Sequence, residues 1–163
     1  MLNYQVGDTV IHQQYGLGKI IEMDKKVIHE RQTLCYVVST QNHITLWVAA
    51  DNPEKSSIRP PTPKGKFEAL FDILRSPGTP LPPDRFERKT QLTERLKAGD
   101  ITSICTVIRD LAQYRREKKL NEYDETIFQR AQNFLLSEWA YVMAVTHSQA
   151  NRSLMELLEP TSG

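Results

Sequence analysis

The stretch that decides the fold of the first half of this chain is VGDTVIHQQYGLGKII, residues 6–21. It predicts a strand, a tight turn and a second strand, with Gly16 and Gly18 bracketing the turn. Glycine is favoured there because a tight turn needs backbone at positive φ, where other side chains clash with the backbone. The apolar side chains expected to start a small core are those of Val10, Leu17, Ile20 and Ile21.

More short strands follow within the first 60 residues. Runs rich in β-branched and aromatic residues, each bounded by turn residues, predict four strands and a shorter fifth. These strands are Thr9–Gln13, Gly18–Asp24, Leu34–Thr40, Ile44–Val48 and a short one near Ser57–Arg59. Lys25-Lys26 and the segment 41–43 are predicted to be turn tips. Several short antiparallel strands in so few residues favour a small barrel over residues 1–60.

The second half of the chain has a different period. Pro60-Pro61-Thr62-Pro63 is a stiff break, and after it apolar residues recur at helical spacing. The predicted helices begin near Phe67, Pro83, Ile101 (with Asp100 as N-cap) and residue 122 (after Asn121), and a short last helix covers Ser153–Leu158. We therefore predict an α+β protein in which a small antiparallel β-barrel, residues 1–60, precedes a compact helical domain, residues 61–163.

The charge of the chain is unevenly distributed, although the formal net charge is only +1. Residues 64–119 hold thirteen Lys/Arg against eight Asp/Glu, a net charge of +5, whereas residues 120–163 hold two against six, a net charge of −4. A basic middle segment suits contact with a polyanion such as nucleic acid. Ordinary solvated helix faces are the alternative explanation.

Enzymatic chemistry has little support in the sequence. No phosphate-binding loop, nucleophile elbow or zinc-protease motif occurs, and the two cysteines lie 70 residues apart with no CxxC pair. A catalytic pair of Cys35 with His43 is the one arrangement left open. We expect no enzyme activity, metal site or cofactor, and no run of apolar residues long enough to cross a membrane is present.

The opening hairpin resembles the start of the RNA-polymerase-interacting domain of the CarD/CdnL transcription regulators, which transcription-repair coupling factors share. In that family a stretch of the form VGDxVxxxxxGxGxI begins a Tudor-like β-barrel. Further motifs in the second half resemble the family in the same order: LKAGDI at 96–101, VIRDL at 107–111, KLNE at 119–122 and AQNFLLSE at 131–138. An unrelated small barrel reusing a common hairpin is the alternative, and these joint motifs argue against it.

The resemblance implies that the barrel binds the β subunit of RNA polymerase by an exposed strand edge. The strand ITLWV, residues 44–48, matches the docking strand, and Trp47 stands where several relatives carry Arg. The polymerase-binding candidates are Lys25, Lys26, Leu46 and Trp47, the two lysines being placed in a loop with Asp24. The alternative for Trp47 is that it packs on its own barrel.

The resemblance also implies that the helical half meets promoter DNA. Relatives insert a Trp into the minor groove at the upstream edge of the transcription bubble, and counting back from Gly99 places that Trp at Arg85, beside Phe86. Either Phe86 acts as the wedge or Arg85 makes a phosphate or minor-groove contact, while the alternative for Phe86 is the helix core. The remaining candidates for DNA phosphate contact are Arg88, Lys89, Arg95, Lys97, Arg115 and Arg116.

The function implied is regulation of transcription initiation, by stabilising the open complex on the polymerase β subunit and upstream promoter DNA. DNA contact is expected to be non-sequence-specific, and the protein is expected to be cytoplasmic and nucleoid-associated. The alternative is a protein–protein adaptor on the polymerase with no direct DNA function, which the missing Trp would allow. A continuous basic face that includes Arg88 would favour DNA binding.

Overall fold

The computed structural model describes residues 4–51, 55–97 and 99–160, so the segment 52–54 and Ala98 of the LKAGDI motif lie outside the described residues. The chain divides into two compact units, Met1–Pro61 and Thr62–Gly163. The first contains the strands and the second the helices. The predicted α+β class, strands first, is confirmed.

The first unit is a five-stranded antiparallel sheet with the strand order β4-β3-β2-β1-β5. Its strands are β1 (Thr9–His12), β2 (Gly16–Ile28), β3 (Arg31–Thr40), β4 (Thr45–Ala49) and β5 (Ile58–Arg59). One face buries Val10, Ile20, Tyr36, Val38 and Val48 together, as alternation along antiparallel strands requires. In the first turn Gly16 has a φ of 75°, as predicted. Gly18 serves another purpose, since a Cβ there would lie 2.8 Å from Val38 Cγ1.

Two predictions about β2 are wrong. Ile21 is half-exposed rather than part of the core, because successive strand residues point to opposite faces and its neighbour Ile20 faces the core. Lys25 and Lys26 are not a turn tip, because β2 continues to Ile28 and pairs with β3 from Glu22 to that residue. The turn lies instead at His29–Glu30, where both residues have positive φ, as a two-residue hairpin loop demands.

The second unit holds five helices among its described residues: α1 (Phe67–Arg75), α2 (Arg85–Lys97), α3 (Ile101–Glu117), α4 (Glu122–Met143) and α5 (His147–Leu158). Asp100 caps α3 as predicted, accepting a hydrogen bond from the Ser103 backbone. The last helix is longer than predicted because Thr146 and Gln149 form a capping box that starts it at His147, six residues before Ser153. The helix predicted from Pro83 begins at Arg85, where Asp84 accepts from the backbone N–H of Glu87.

The core of the helical unit follows the predicted apolar stripes. Every residue of the α3 stripe is buried: Ile101, Ile104, Cys105, Ile108, Leu111 and Ala112. The α4 stripe from Ile127 to Trp139 packs against them. In the described parts of the chain, we find no helix that is both long and apolar enough to span a membrane.

Candidate functional site

The first candidate surface is the outer edge of the sheet, formed by β4. The Thr40 N–H donates to the Ile44 carbonyl, and the Ala50 N–H donates to the Leu34 carbonyl. Because bonding alternates along an antiparallel ladder, the even-numbered residues of β4 bond to β3. The backbone groups of Thr45, Trp47 and Ala49 therefore face the open edge, which is the arrangement that strand addition by a partner needs.

Trp47 lies on the outer face of the sheet rather than in its core. It pairs with Val37, whereas its neighbours Leu46 and Val48 pack with the core cluster. Its side chain is 43% exposed, and Lys26 Nζ lies 4.6 Å from the ring centroid. Trp47 is therefore not buried in the core cluster, although more than half of its surface is covered within the sheet unit beside the buried Val37, as the alternative of packing on its own barrel expects. Its exposed part presents an indole and an ammonium group together on one patch.

The other two polymerase-binding candidates lie elsewhere. Lys25 pairs with Leu34, one residue out of phase with Lys26, so its side chain belongs to the opposite face. Leu46 is half-buried against the core cluster. Of the four candidates, the structure thus brings only Lys26 and Trp47 together.

The second candidate surface lies at the start of α2. Phe86 is 72% exposed, which contradicts the alternative that it is a core residue, and Arg85 beside it is exposed too. With 3.6 residues per turn, Phe86, Lys89 and Lys97 fall on one side of α2. The α2 carboxylates Glu87 and Glu94 lie about 100° and about 80° from Phe86 around the helix, on the flank opposite Lys89. This helix therefore presents an exposed aromatic ring with Lys89 on one flank, carboxylates on the other and Lys97 farther along the axis.

Arg88 is not part of that surface, so its predicted phosphate contact is wrong. Its side chain is 4% exposed and forms a bidentate ion pair with Asp124, with Nε–Oδ1 2.9 Å and Nη2–Oδ2 3.0 Å. Its Nη1 donates to the carbonyls of Pro82 and Pro83, both at 3.2 Å, and its guanidinium lies 4.9 Å from the Tyr114 ring centre. The hydrogen bond to Asp124 is the main cause that raises the pKa of Arg88.

Arg95 is also held inside the unit. Its Nη2 donates to Asp110 Oδ2 at 2.7 Å and to Thr106 Oγ1 at 2.9 Å. Asp110 is almost completely buried and also accepts from Arg109 Nε and from the Thr79 backbone N–H. Arg109 and Asp110 of VIRDL thus tie the loop between α1 and α2 to α3. Because Arg95 is bonded to Asp110 and Thr106, it is half-buried and poorly placed as a phosphate contact.

Lys89 keeps its exposure but has a partner. Its Nζ lies 4.6 Å from the ring centre of Tyr123, and the Tyr123 hydroxyl lies 3.1 Å from Thr93 Oγ1. Lys97 is exposed at the end of α2. By the helical rise of about 1.5 Å per residue, Lys97 lies about 16 Å along the axis from Phe86.

Arg115 and Arg116, the two basic candidates at the end of α3, contact different partners. The Arg115 guanidinium lies 4.9 Å from the Phe128 ring centre, and Arg116 donates to the Leu158 carbonyl at the end of α5. Both side chains keep exposed surface. Because Tyr114 contacts Arg88, this end of α3 lies beside the start of α2, and Arg115 therefore belongs to the same end of the unit as Phe86.

The cysteines are placed as structural residues. Cys35 is buried in β3, where burial raises the pKa of its thiol, and burial raises the pKa of Cys105 to about 12. His43 follows Thr40 at the far end of β3, about 16 Å along the strand from Cys35 by the usual rise. The two do not form a catalytic pair. Within the described ranges, no group of three His, Cys, Asp or Glu side chains converges as a metal site would require.

Two family models match the two units. The model described as "CarD-like/TRCF RID domain" matches residues 4–62, and the model described as "CarD, C-terminal domain" matches residues 69–155. The chain belongs to the CarD family. It is also similar to "Putative transcription factor YdeB" of Bacillus subtilis (strain 168), with 26% identity over 151 residues, which cover 90% of this chain and 96% of the relative.

The CarD-family motifs recognised in the sequence are mostly structural in this member. VIRDL anchors a loop, and Asn121 of KLNE forms a capping box with Asp124. Sequence reasoning missed the Arg88–Asp124 pair, since the two residues are 36 positions apart. The one available signal was an arginine on the same helical side as Leu92, the buried apolar residue of α2.

Proposed function

We propose that this CarD-family protein regulates transcription initiation by binding RNA polymerase through its sheet unit and upstream promoter DNA through its helical unit. It acts by binding, without a catalytic step or a cofactor, at the nucleoid in the cytoplasm. The observation that carries the DNA half is Phe86, a ring 72% exposed at the first turn of α2 with cations on its side of the helix.

The polymerase half of the proposal is supported by the match to the RID domain and by the β4 edge. Unpaired backbone groups at Thr45, Trp47 and Ala49 offer a partner strand its hydrogen bonds. The Trp47 indole beside Lys26 offers the rigid, amphipathic contact that is enriched in binding hot spots. The partner surface we propose is the β subunit, by the family resemblance.

The DNA half follows from what an exposed ring can do next to a distorted duplex. An apolar wedge inserted in the minor groove gains contact only when a base step is unstacked. Arg85, Lys89 and Lys97 would bind phosphates on either side of the ring, with no information about sequence. The protein would then bind melted promoter DNA better than closed DNA, and would shift the population toward the open complex by that difference in affinity.

The test is the lifetime of a polymerase–promoter open complex with the full chain and with the Phe86→Ala variant. The variant is expected to melt close to the original protein, since an exposed side chain contributes little to stability. It is expected to shorten the open-complex lifetime while leaving polymerase affinity unchanged. Tyr141→Ala is the matched control, because this ring is half-exposed on α4, about 25 Å along the helix axis from Asp124.

A second candidate function is an adaptor that binds polymerase without acting on DNA. It is favoured by the exposed acids at the end of the unit where α2 starts, among them Glu87, Glu117 and Glu122, which weaken a continuous basic face. An unchanged open-complex lifetime for Phe86→Ala and for Arg85→Ala, both well folded, would establish the adaptor in place of the DNA-binding function.

A further inference from the structure

We propose that Arg88 is a positioning residue for Phe86: it fixes the direction in which the exposed ring leaves the helical unit. This inference rests on the proposed function of Phe86 and adds the device that aims it. Arg88 itself is too buried to contact DNA, and it lies two residues after Phe86 on α2.

Several segments of the helical unit meet at the Arg88 guanidinium. Arg88 belongs to α2, its two bonds to Asp124 reach the first turn of α4, and its Nη1 reaches the carbonyls of Pro82 and Pro83. The Tyr114 ring adds the last turns of α3. One side chain therefore fixes the start of α2 against two other helices and the loop that leads into it.

The junction between Arg88 and Asp124 is held by further hydrogen bonds. Asp124 also accepts from the Asn121 N–H at 3.1 Å, while the Asn121 side chain accepts from the Asp124 N–H at 2.8 Å. The carboxylate is therefore fixed by a capping box before it binds Arg88. A bidentate guanidinium–carboxylate pair fixes orientation as well as distance. A lysine at position 88 would keep the charge but could not form this fork or hold both proline carbonyls.

The direction of the Phe86 ring depends on this junction. Because Phe86 is 72% exposed, its own packing does little to fix its helix. The direction of the ring is therefore set by where α2 begins and how it is tilted. The residues that hold the start of α2 are Asp84, which caps the helix, and Arg88, which binds the preceding loop, whereas the buried Leu92 and the Arg95–Asp110 pair hold its later turns. A wedge acts only if it enters the groove at the correct angle, so a loosened helix start would reduce its effect.

The first measurement uses the isolated protein. In the Arg88→Lys variant, hydrogen exchange is expected to lose protection at the amides of residues 87–89, while residues 104–111 of α3 stay protected. Asp124→Asn is the second variant: asparagine keeps one acceptor oxygen for the Asn121 N–H, but it removes the charge and replaces the second acceptor oxygen with an NH2 donor, which breaks the fork with Arg88. Unchanged exchange at residues 87–89 in both folded variants would overturn the proposal.

The second measurement is a double-mutant cycle on open-complex lifetime. Arg88→Lys alone is expected to shorten the lifetime about threefold to tenfold, which corresponds to about 0.7–1.4 kcal/mol. In the Phe86→Ala background the same substitution is expected to have no further effect, because two residues that act through one contact are not additive. Arg95→Lys is the matched control, since it alters another arginine–carboxylate pair of α2, two turns away from Arg88.

The outcomes distinguish a failure of the positioning role of Arg88 from a failure of the proposed function of Phe86. If Arg88→Lys shortens the lifetime equally with and without Phe86, or if Arg95→Lys does the same as Arg88→Lys, then general stability is responsible and the positioning role is overturned. If Phe86→Ala leaves the lifetime unchanged, the proposed function fails. Hydrogen exchange at residues 87–89 still decides then whether Arg88 fixes the start of α2.

Discussion

The sharpest prediction for the sheet unit is that Trp47→Ala weakens binding to the polymerase β subunit. Trp47 is 43% exposed, so docking could still bury about 100 Å² of a side chain that offers up to about 250 Å². At about 25 cal/mol per Å² this surface is worth about 2.5 kcal/mol, an energy in the range of interface hot spots. The expected loss is about 70-fold in Kd.

The assay is titration of the β subunit with the full chain and its variants, together with thermal melting of each variant. Tyr15→Ala is the matched control, because this aromatic side chain is exposed on the first turn of the sheet unit to a similar extent as Trp47. The control is expected to bind as the original protein does. A Trp47→Ala variant that folds normally and binds with unchanged Kd would refute the placement of Trp47 in the interface.

Three further predictions test the edge, the charge and a buried histidine. Thr45→Pro is expected to block strand addition while keeping the sheet, since the Thr45 N–H faces the open edge. The control Thr45→Val should bind the β subunit normally, and equal binding by the proline variant would contradict docking by the edge. Lys89→Ala is expected to lower by about 0.9 the steepness with which the logarithm of the binding constant for duplex DNA falls with the logarithm of salt concentration. Arg152→Ala on α5 should leave this slope unchanged. An unchanged slope for Lys89→Ala would show that Lys89 does not contact phosphate. His12 accepts hydrogen bonds from the backbone N–H groups of residues 14 and 15 through Nδ1, and burial lowers the pKa of its imidazole. Its contribution to the free energy of unfolding is therefore present above pH 6.5 and is lost as the pH falls from there toward the lowered pKa. Chemical unfolding at several pH values should show that the free energy of unfolding depends less on pH in this window for His12→Asn and to the same extent as in the original protein for His29→Asn. Equal curves of unfolding free energy against pH for all three proteins would disprove this role of His12.

The helical core was predictable because a single period governs it. The α3 residues spaced three and four apart from Ile101 to Ala112 are all buried, and no long-range information is needed to see that they share a face. Asp100 and Asn121 were likewise readable, since capping depends on residues within one turn. These are local properties, and a sequence displays local properties directly.

The β2–β3 hairpin was mispredicted for an equally physical reason. Lys25-Lys26 resembles a turn because lysine is a poor strand former, but β propensity depends on the neighbours that a strand acquires. Here Lys26 lies across the outer face beside Trp47, which gives a charged residue a favourable place within a strand. The observed turn uses His29 and Glu30 at positive φ, where glycine or asparagine is more common.

The charged residues of α2 show most clearly where sequence reasoning ends. Arg85, Arg88, Lys89, Arg95 and Lys97 look alike as five cations in thirteen residues, and their pattern supports a polyanion-binding helix. Two of them are bonded to carboxylates on other helices, Arg88 to Asp124 and Arg95 to Asp110. Those carboxylates are 36 and 15 positions away, so only the tertiary fold separates cations that hold the structure from cations that are free to bind.

This separation changes how the missing tryptophan is understood. If all five cations faced outward, the helix would attract DNA strongly by charge alone, and the nature of the ring at its start would matter little. With two arginines turned inward, α2 offers only Arg85, Lys89 and Lys97 for phosphates, and the net attraction is modest. In the function we propose, a modest non-specific affinity suits a factor that polymerase delivers to the promoter. Under that proposal the discrimination between closed and melted DNA would fall to Phe86, because a wedge makes its contact only where the bases are unstacked.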